Sequence, residues 1–297
     1  MGRLPAATLA LLMILIVTMV LTINTVERVR EFDKMQYEIQ EAVVNGAAYA
    51  ASKHILEVKK MVLLFADEYR DMITTLAIYP GDETTRAALR ERLRQRFDNV
   101  FTFTIATPEG VPVLSDIETK VGAVCQRDLS EFSAKVAKGH PLTHNNKLVI
   151  HPNPSGYHYD VMAPFTVSGV ARIFFVSFYP TDLAEIAATH ASPGHQLFFV
   201  NTDKPGLIEI GAAGARDVLG RDIHLTEEES NRAKAVRNVT GSKWRIIDVP
   251  DAGLVTDYKR RLWTEVGIII AFVALISLIM MMYMIRLCRQ CDTGKCR

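Results

Sequence analysis

The stretch HNNKLVIHPNPSGYHYDVMAPF, residues 144–165, concentrates side chains that could bind a ligand or a metal ion. It contains three histidines, three asparagines, two tyrosines and an aspartate. Histidine is a common zinc and copper ligand, and a few convergent polar groups are typical of small-molecule pockets. The stretch therefore raises three hypotheses, namely a ligand site, a metal site and an ordinary polar face of a sheet.

The histidine spacing argues against the metal hypothesis. His140, His144, His151 and His158 fall within a short window, but no histidine pair on one element has a nearby cysteine or carboxylate ligand. His140 and His144 have helical spacing, yet they lie on either side of Pro141 in a predicted loop. A four-ligand site needs convergent side chains. We therefore expect no metal ion and no cofactor.

Enzyme motifs are absent from the sequence. The nucleophile motif GxSxG, the zinc motif HExxH and the phosphate-binding motif GxxxxGK[ST] do not occur. We therefore expect no catalytic residues and a protein that is not an enzyme.

Small-molecule capture is the more specific hypothesis for this stretch. Alternation along the predicted strand GYHYDVMAPF places Tyr157 and Tyr159 on one face and His158 and Asp160 on the other. The next strand carries one charge, Arg172, and pairing across a short turn should bring it close to facing Asp160. An aspartate and an arginine on adjacent strands can bind the amine and the carboxylate of a zwitterion. The predicted ligand-binding residues are Asn146, His151, Tyr157, Tyr159, Asp160 and Arg172.

The ordinary interpretation of the same residues stays open. A cross-strand aspartate–arginine pair is common on exposed sheets, and HPNPSG is also explained as a turn rich in proline, asparagine and glycine.

Composition limits the class of partner. The chain has 297 residues and a net charge of +1, so no basic excess is present to neutralise nucleic-acid phosphates. The apolar fraction of 49% is high for a soluble protein, and the excess is concentrated at the two ends.

Two segments, residues 4–26 and 263–285, are long enough to cross a membrane as helices, and their apolar runs, 4–26 and 266–285, contain no charged residue. A cleaved signal peptide is the alternative for the first one. Its apolar run exceeds the usual length of about 7–15 residues, and TINTVERV offers no cleavage site. Basic residues in 1–3 and 286–297 predict that both termini are cytoplasmic, although YKRR on the other side opposes this.

Cysteine usage differs between the two sides. Cys125 is the only cysteine between the spans, so no disulfide forms there. The tail carries Cys288, Cys291 and Cys296, which supply three thiols without a nearby histidine. Free or acylated cysteines next to the membrane are favoured over a zinc site.

The region between the spans has mixed periodicity. Residues 27–79 have helical spacing and predict one long amphipathic stalk helix. Residues 80–190 predict a helix, a strand–turn–strand FTFTIATPEGVPVL, a short helix, three strands and a helix. Residues 191–262 repeat strand, turn, strand, helix and strand in shorter form. The predicted fold is α+β, with two antiparallel-sheet modules of which the second is abbreviated.

This order resembles the extracytoplasmic Cache (PAS-like) sensor domains of bacterial receptors. FTFTIATPEGVPVL looks like their opening hairpin, and GSKWRIIDVPDAGL looks like the closing strand of a membrane-proximal module. The sequence NNKLVIHPNPSGYHYDVMAPF is similar to sensor regions that precede GGDEF diguanylate cyclase domains. GGDEF itself is absent, and the chain ends soon after the second span, so we expect a sensor that signals through a separate partner.

The resemblance implies a location and a set of partners. We expect a two-pass protein of the bacterial inner membrane with a periplasmic domain. Its expected partners are an amino acid, amine or carboxylate ligand, a second copy in a homodimer, and a cytoplasmic or membrane signalling protein. An envelope assembly subunit without a ligand, and the truncated sensor of a cyclase or chemoreceptor, are the alternatives.

Overall fold

The computed structural model describes residues 6–114, 123–138, 147–152 and 156–292. Within these ranges the helices are α1 (Ala6–Glu68), α2 (Arg70–Ile78), α3 (Glu83–Arg96), α4 (Ala123–Ala137), α5 (Thr181–His190), α6 (Glu227–Arg232) and α7 (Ala252–Asp292). The strands are β1 (Val100–Ala106), β2 (Tyr159–Val167), β3 (Val170–Phe178), β4 (His195–Asn201), β5 (Ile208–Gly211), β6 (Gly214–Ala215), β7 (Val236–Asn238) and β8 (Trp244–Pro250).

The predicted stalk helix ends earlier than its apolar periodicity indicates. It is interrupted at Tyr69, whose backbone angles of φ −104° and ψ 27° separate α1 from α2. The next helix, α3, begins as predicted because the carboxylate of Asp82 accepts a hydrogen bond from the backbone N–H of Thr85 at 3.0 Å.

The first sheet has the antiparallel order β1-β3-β2. Ser168 and Gly169 connect β2 to β3 with φ angles of 48° and 81°, as a tight two-residue hairpin requires. Two other predicted strands, the second strand of FTFTIATPEGVPVL and the segment KLVIHP, are wrong within the described residues. After β1, only Pro112 bridges back to Ala106, and the KLVIHP segment makes isolated bridges at Leu148 and His151.

The second sheet has five strands in the order β6-β5-β4-β8-β7, against three in the first. The prediction of an abbreviated second module is therefore wrong for the described residues. The strands β6 and β7 contain two and three residues, which is too short for alternation to reveal. The predicted helix of this region shortens to α6, which begins with a capping box between Thr226 and Glu229.

Residues 39–250 form one compact unit. Its main core joins one face of α1 to both sheets, with Ala51 and Ile55 of α1 in the same buried cluster as Phe174 of β3 and Trp244 of β8. The opposite face of the second sheet carries a smaller cluster that includes Phe198. Alternate side chains of β4 therefore enter different clusters, so this sheet is covered on both faces.

The remaining unit comprises residues 1–38 and 251–297. Its parts of α1 and α7 are long and apolar enough to cross a membrane by length and composition, and only 6% of each apolar window is buried. The rings of Phe32 and Tyr258 stack at a centroid distance of 3.9 Å. Lys259 forms an ion pair with Asp33 at 3.0 Å.

Gly110 allows α4 to lie close to the turn after β1. Its φ of +83° is one that residues with a Cβ rarely adopt, and a Cβ there would lie 2.6 Å from the Cα of Ser130 in α4. The absence of a side chain at this position therefore fixes how closely α4 approaches the first sheet.

Candidate functional site

The start of β2 carries a buried group of ionisable side chains. His151 and His158 lie opposite each other in an antiparallel bridge, and Asp160 is two residues beyond His158, on the same side of the chain. All three residues are at most 2% exposed. The predicted common face of His158 and Asp160 is confirmed, because His158 Nε2 lies 3.6 Å from Asp160 Oδ1.

Asp160 is the centre of this group. Its Oδ2 atom lies 3.3 Å from His151 Nε2, and its Oδ1 atom accepts a hydrogen bond of 2.7 Å from the Ser177 hydroxyl of β3. Helix α4 closes the group from the other side. Cys125 Sγ lies 3.4 Å from His158 Nε2, and Asp128 Oδ2 lies 3.6 Å from His151 Nε2.

The histidine spacing predicts no metal site because it shows no neighbouring ligands, but the fold brings such ligands together. One ligand atom from each of Cys125, His151 and Asp160 lies within 4.8 Å of the other two. Cys125 precedes His158 by 33 positions, so its proximity depends on how α4 packs on the sheet. The spacing of His158 and Asp160 on one strand face was the only local signal.

Burial controls the electrostatics of the group. Desolvation lowers the pKa of His158, against the opposing effect of the Asp160 charge and of the Gly156 carbonyl. The Nδ1 atom of His158 lies 3.1 Å from that carbonyl oxygen. The neutral imidazole then donates from Nδ1 and directs the lone pair of Nε2 towards Cys125 and Asp160.

The predicted pairing of Asp160 with Arg172 is wrong. Asp160 pairs with Ser177, whereas Arg172 pairs with Phe165, near the hairpin end of the same two strands. The two charges are therefore five residues apart along the ladder, or about 17 Å at about 3.4 Å per residue. A zwitterion could not bridge them. The two-residue turn at residues 168–169 sets this register. The residues on either side of the turn must pair, and the rest of the ladder follows from them.

The other predicted site residues lie in different places. Tyr159 is 1% exposed in the main core, where its ring packs edge-on against Trp244, and burial raises the pKa of its phenol. Tyr157 is half-buried and faces a cavity. Asn146 lies outside the described residues, as do His140 and His144.

The cavity beside Tyr157 has a volume of about 500 Å³. Three chain segments form it, namely the residues before β2, the junction of β3 with α5, and the turn from β5 through β6. Its lining includes the rings of Tyr157 and Tyr179 and the carboxylates of Glu185 and Asp217. Both residues are exposed.

Arg216 supports the wall of this cavity. Its guanidinium lies 5.3 Å from the centroid of the Tyr157 ring, in a cation–π arrangement. One of its nitrogen atoms is 2.7 Å from Oε2 of Glu209, which is 1% exposed on β5. Arg216 therefore connects the second sheet to the Tyr157 side of the cavity.

No family model matches the chain, and no curated protein matches it either. Several solved structures are similar in fold. The sensor domain of the V. cholerae histidine kinase DctB is 6% identical, with 74% of this chain and 98% of that chain covered at a TM-score of 0.48. The ligand-binding domain of the Pseudomonas aeruginosa chemoreceptor PctB, in complex with L-Arg, is 13% identical. The match covers 75% of this chain and 91% of that chain, at a TM-score of 0.41.

A further similar structure is an extracellular ligand binding receptor from Desulfohalobium retbaense, at 11% identity and a TM-score of 0.41. The match covers 68% of this chain and 39% of the receptor, so this chain spans well under half of that protein's length. These structures are extracellular sensor or ligand-binding domains. They are of the class that the sequence resembles.

Proposed function

We propose that this chain is a membrane-anchored sensor that binds an amine-bearing small molecule in the Tyr157 cavity and passes the signal to a separate partner. The observation that carries the proposal is the cavity itself. Its volume of about 500 Å³ falls within the range of small-molecule pockets, about 300–1,000 Å³. The proposal assigns no catalytic role to any residue.

The chemistry of the lining favours an amine. Glu185 and Asp217 in the lining supply negative charge, and the Tyr179 ring is of the kind that attracts cations. The Tyr157 ring already carries the Arg216 guanidinium, which shows that it accepts a cation. The one nearby cation, among the residues that line or support the cavity, is Arg216, which is held by Glu209. Amino acids and simple amines are thus the first ligands to consider. Of the six predicted site residues, Tyr157 is the one that we retain for this ligand.

The proposal places residues 39–250 outside the cytoplasm. The segments 4–26 and 263–285 would cross the inner membrane, with residues 1–3 and 286–297 on the cytoplasmic side. The support is the apolar character of α1 and α7 and the basic residues beside each span, Arg3, Arg286, Arg289, Lys295 and Arg297.

A path for the signal runs along α1. The Gln40 side chain accepts a hydrogen bond of 2.8 Å from the backbone N–H of Lys234, and Glu41 pairs with Arg237 at 2.9 Å. Further along, Lys59 donates to the Gly241 carbonyl at 3.1 Å. A ligand that shifts the second sheet would thereby shift α1, which continues towards the membrane.

The proposal includes a homodimer. Tyr49, Leu56 and Leu64 are 73%, 53% and 50% exposed and recur on α1 at spacings of seven and eight residues. Residues at these spacings share one face of a helix. An apolar face of this kind is suited to a second copy of the chain.

Thermal unfolding of the purified full chain in detergent, with EDTA present, tests the ligand proposal. The panel comprises amino acids, amines lacking a carboxylate, and carboxylates lacking an amine. We expect amine-bearing compounds to raise Tm by several degrees, because a ligand at 100 times its Kd adds about 2.7 kcal/mol to the free energy of unfolding. The double variant Glu185→Gln, Asp217→Asn should lose the response.

The matched control is Glu91→Gln, which removes an exposed carboxylate on α3, far along the chain from the cavity. It should respond like the parent. If no compound in the panel raises Tm, or if the double variant responds like the parent, the cavity is not the ligand site.

A further inference from the structure

A second cluster, separate from the Tyr157 cavity, has the geometry of a metal site. Three parts of the chain converge there: α4 with Cys125, the bridge segment with His151, and the start of β2 with His158 and Asp160. One ligand atom from each of Cys125, His151 and Asp160 lies within 4.8 Å of the other two. His158 Nε2 lies 3.4 Å from Cys125 Sγ and 3.6 Å from Asp160 Oδ1 but outside this mutually close set, so it would move towards His151 to become the fourth ligand. Tetrahedral zinc bonds of about 2.0–2.3 Å place their donor atoms about 3.3–3.7 Å apart.

The cluster is not satisfied by its own hydrogen bonds. The Oδ2 atom of Asp160 and the Nδ1 atom of His151 are buried and have no hydrogen-bond partner among the described residues. The two side chains are 1% and 3% exposed. A buried carboxylate oxygen without a partner is costly to the fold. Asp160 Oδ2 lies 3.3 Å from His151 Nε2 without forming a hydrogen bond to it, so this buried oxygen is available to a metal ion. The unpartnered nitrogen of His151 is Nδ1, on the other side of the ring from that contact.

The orientation of His158 fits the same purpose. Its Nδ1 lies 3.1 Å from the Gly156 carbonyl, which is the outer contact that metal-binding histidines commonly make. This contact leaves the Nε2 lone pair directed towards Cys125 and Asp160. Asp128, whose side chain is 27% exposed, contacts His151 at the rim and links the cluster to solvent.

We propose that Cys125, His151, His158 and Asp160 bind one Zn²⁺ ion. A thiolate, two imidazoles and a carboxylate form a mixed sulfur, nitrogen and oxygen donor set, which suits zinc. Calcium and magnesium prefer oxygen donors alone. The bound ion would tie α4 to β2 and would supply the positive charge that balances Asp160. It would also make the packing of α4 dependent on metal.

The test uses the full chain in detergent, after EDTA treatment and removal of the chelator, in a background with Cys288→Ser, Cys291→Ser and Cys296→Ser. These substitutions remove the tail thiols, which could bind zinc themselves. The probes are Zn²⁺ titrated against a chromophoric chelator and Co²⁺ followed by absorption. We expect one ion per chain, the visible bands of tetrahedral Co²⁺, and a near-ultraviolet thiolate-to-cobalt band.

Substitutions within the cluster should weaken the site. Cys125→Ser should abolish the thiolate band, and Asp160→Asn or His151→Gln should lower Zn²⁺ affinity by more than about 100-fold, since even outer-contact losses cost about 10–100-fold. The control His224→Gln removes an exposed histidine elsewhere and should bind like the parent background. Far-ultraviolet circular dichroism without metal shows whether each variant is folded.

Two results would overturn the zinc proposal. One is the absence of the thiolate-to-cobalt band in the tail-substituted parent, a result that does not depend on any cluster variant folding. The other is unchanged Zn²⁺ affinity in a folded Cys125→Ser variant. The amine response is measured in EDTA and depends on other residues, so either proposal can fail while the other holds.

Discussion

Glu229 shows how one residue makes the fold sensitive to pH. Its carboxylate accepts hydrogen bonds from Arg221 at 2.8 and 2.7 Å and from the backbone N–H of Thr226 at 2.9 Å. The Arg221 guanidinium is the main reason that the pKa of Glu229 falls to about 2 from the ordinary value of 4.5. The lowered pKa means that Glu229 stabilises the protein above about pH 4.5 and that this contribution disappears as the pH falls towards 2.

We therefore expect Glu229→Gln to lower the free energy of unfolding by about 2 kcal/mol at pH 7, after allowance for solvent screening. The difference from the parent should shrink steadily between about pH 4.5 and pH 3. Urea unfolding at several pH values measures it. Glu227→Gln removes a charge from the same helical turn and is the control. A loss for Glu229→Gln that is constant with pH would contradict the assignment.

Residue contacts could be predicted from the sequence where the partners are near in the chain. The capping box joins Thr226 to Glu229, three positions away, and the sequence predicts it correctly. The contact of Cys125 with His158 spans 33 positions and depends on how α4 packs against the first sheet. No local pattern encodes such a contact, so the histidine spacing alone does not predict metal ligands here.

At the scale of elements, the hairpin β2–β3 and the strands β4 and β8 could be predicted because each has seven or more residues of regular pattern. The second sheet gains its extra size from β6 and β7, which are too short to show a period. The register that separates Asp160 from Arg172 depends on the position of the turn. The alternation of polar residues does not give that position.

Substitutions at Gly110 test whether the turn after β1 fixes the position of α4. Gly110→Ala combines an unfavourable φ of +83° with a Cβ placed 2.6 Å from Ser130 Cα. Gly169→Ala is the matched control, since its φ is +81° but nothing lies within 4 Å of the new Cβ. We expect Gly169→Ala to cost about 1 kcal/mol and Gly110→Ala to cost about 1–3 kcal/mol more, because a backbone must move.

Denaturant unfolding measures both costs, and the zinc titration adds a second readout. A displaced α4 carries Cys125 away from His158, so Gly110→Ala should also weaken Zn²⁺ binding, whereas Gly169→Ala should not. If the two variants lose the same free energy of unfolding, moving α4 away from the turn does not destabilise the protein. In that case the close approach at Ser130 does not fix the helix.

At the scale of the whole molecule, the sequence predicts two spans from length and composition, and α1 and α7 meet the same criteria. The basic residues on the two sides of the second span favour opposite orientations of residues 39–250. YKRR, residues 258–261, would lie outside in the proposed topology, against the usual bias of positive charge. The topology is therefore the prediction on which the sensor proposal most depends.

Thiol labelling in spheroplasts of a bacterial host decides the topology. Glu91→Cys places a thiol at an exposed position of α3, outside the α1 face proposed for the dimer, in a background where the three tail cysteines are serine. We expect a membrane-impermeant maleimide to label this variant from outside. In the chain with its native tail, we expect labelling only after the membrane is permeabilised. Cys125 is 1% exposed and should contribute little to either signal. Labelling of the tail in intact spheroplasts, with Glu91→Cys protected, would place residues 39–250 in the cytoplasm and remove the basis for an extracellular signal.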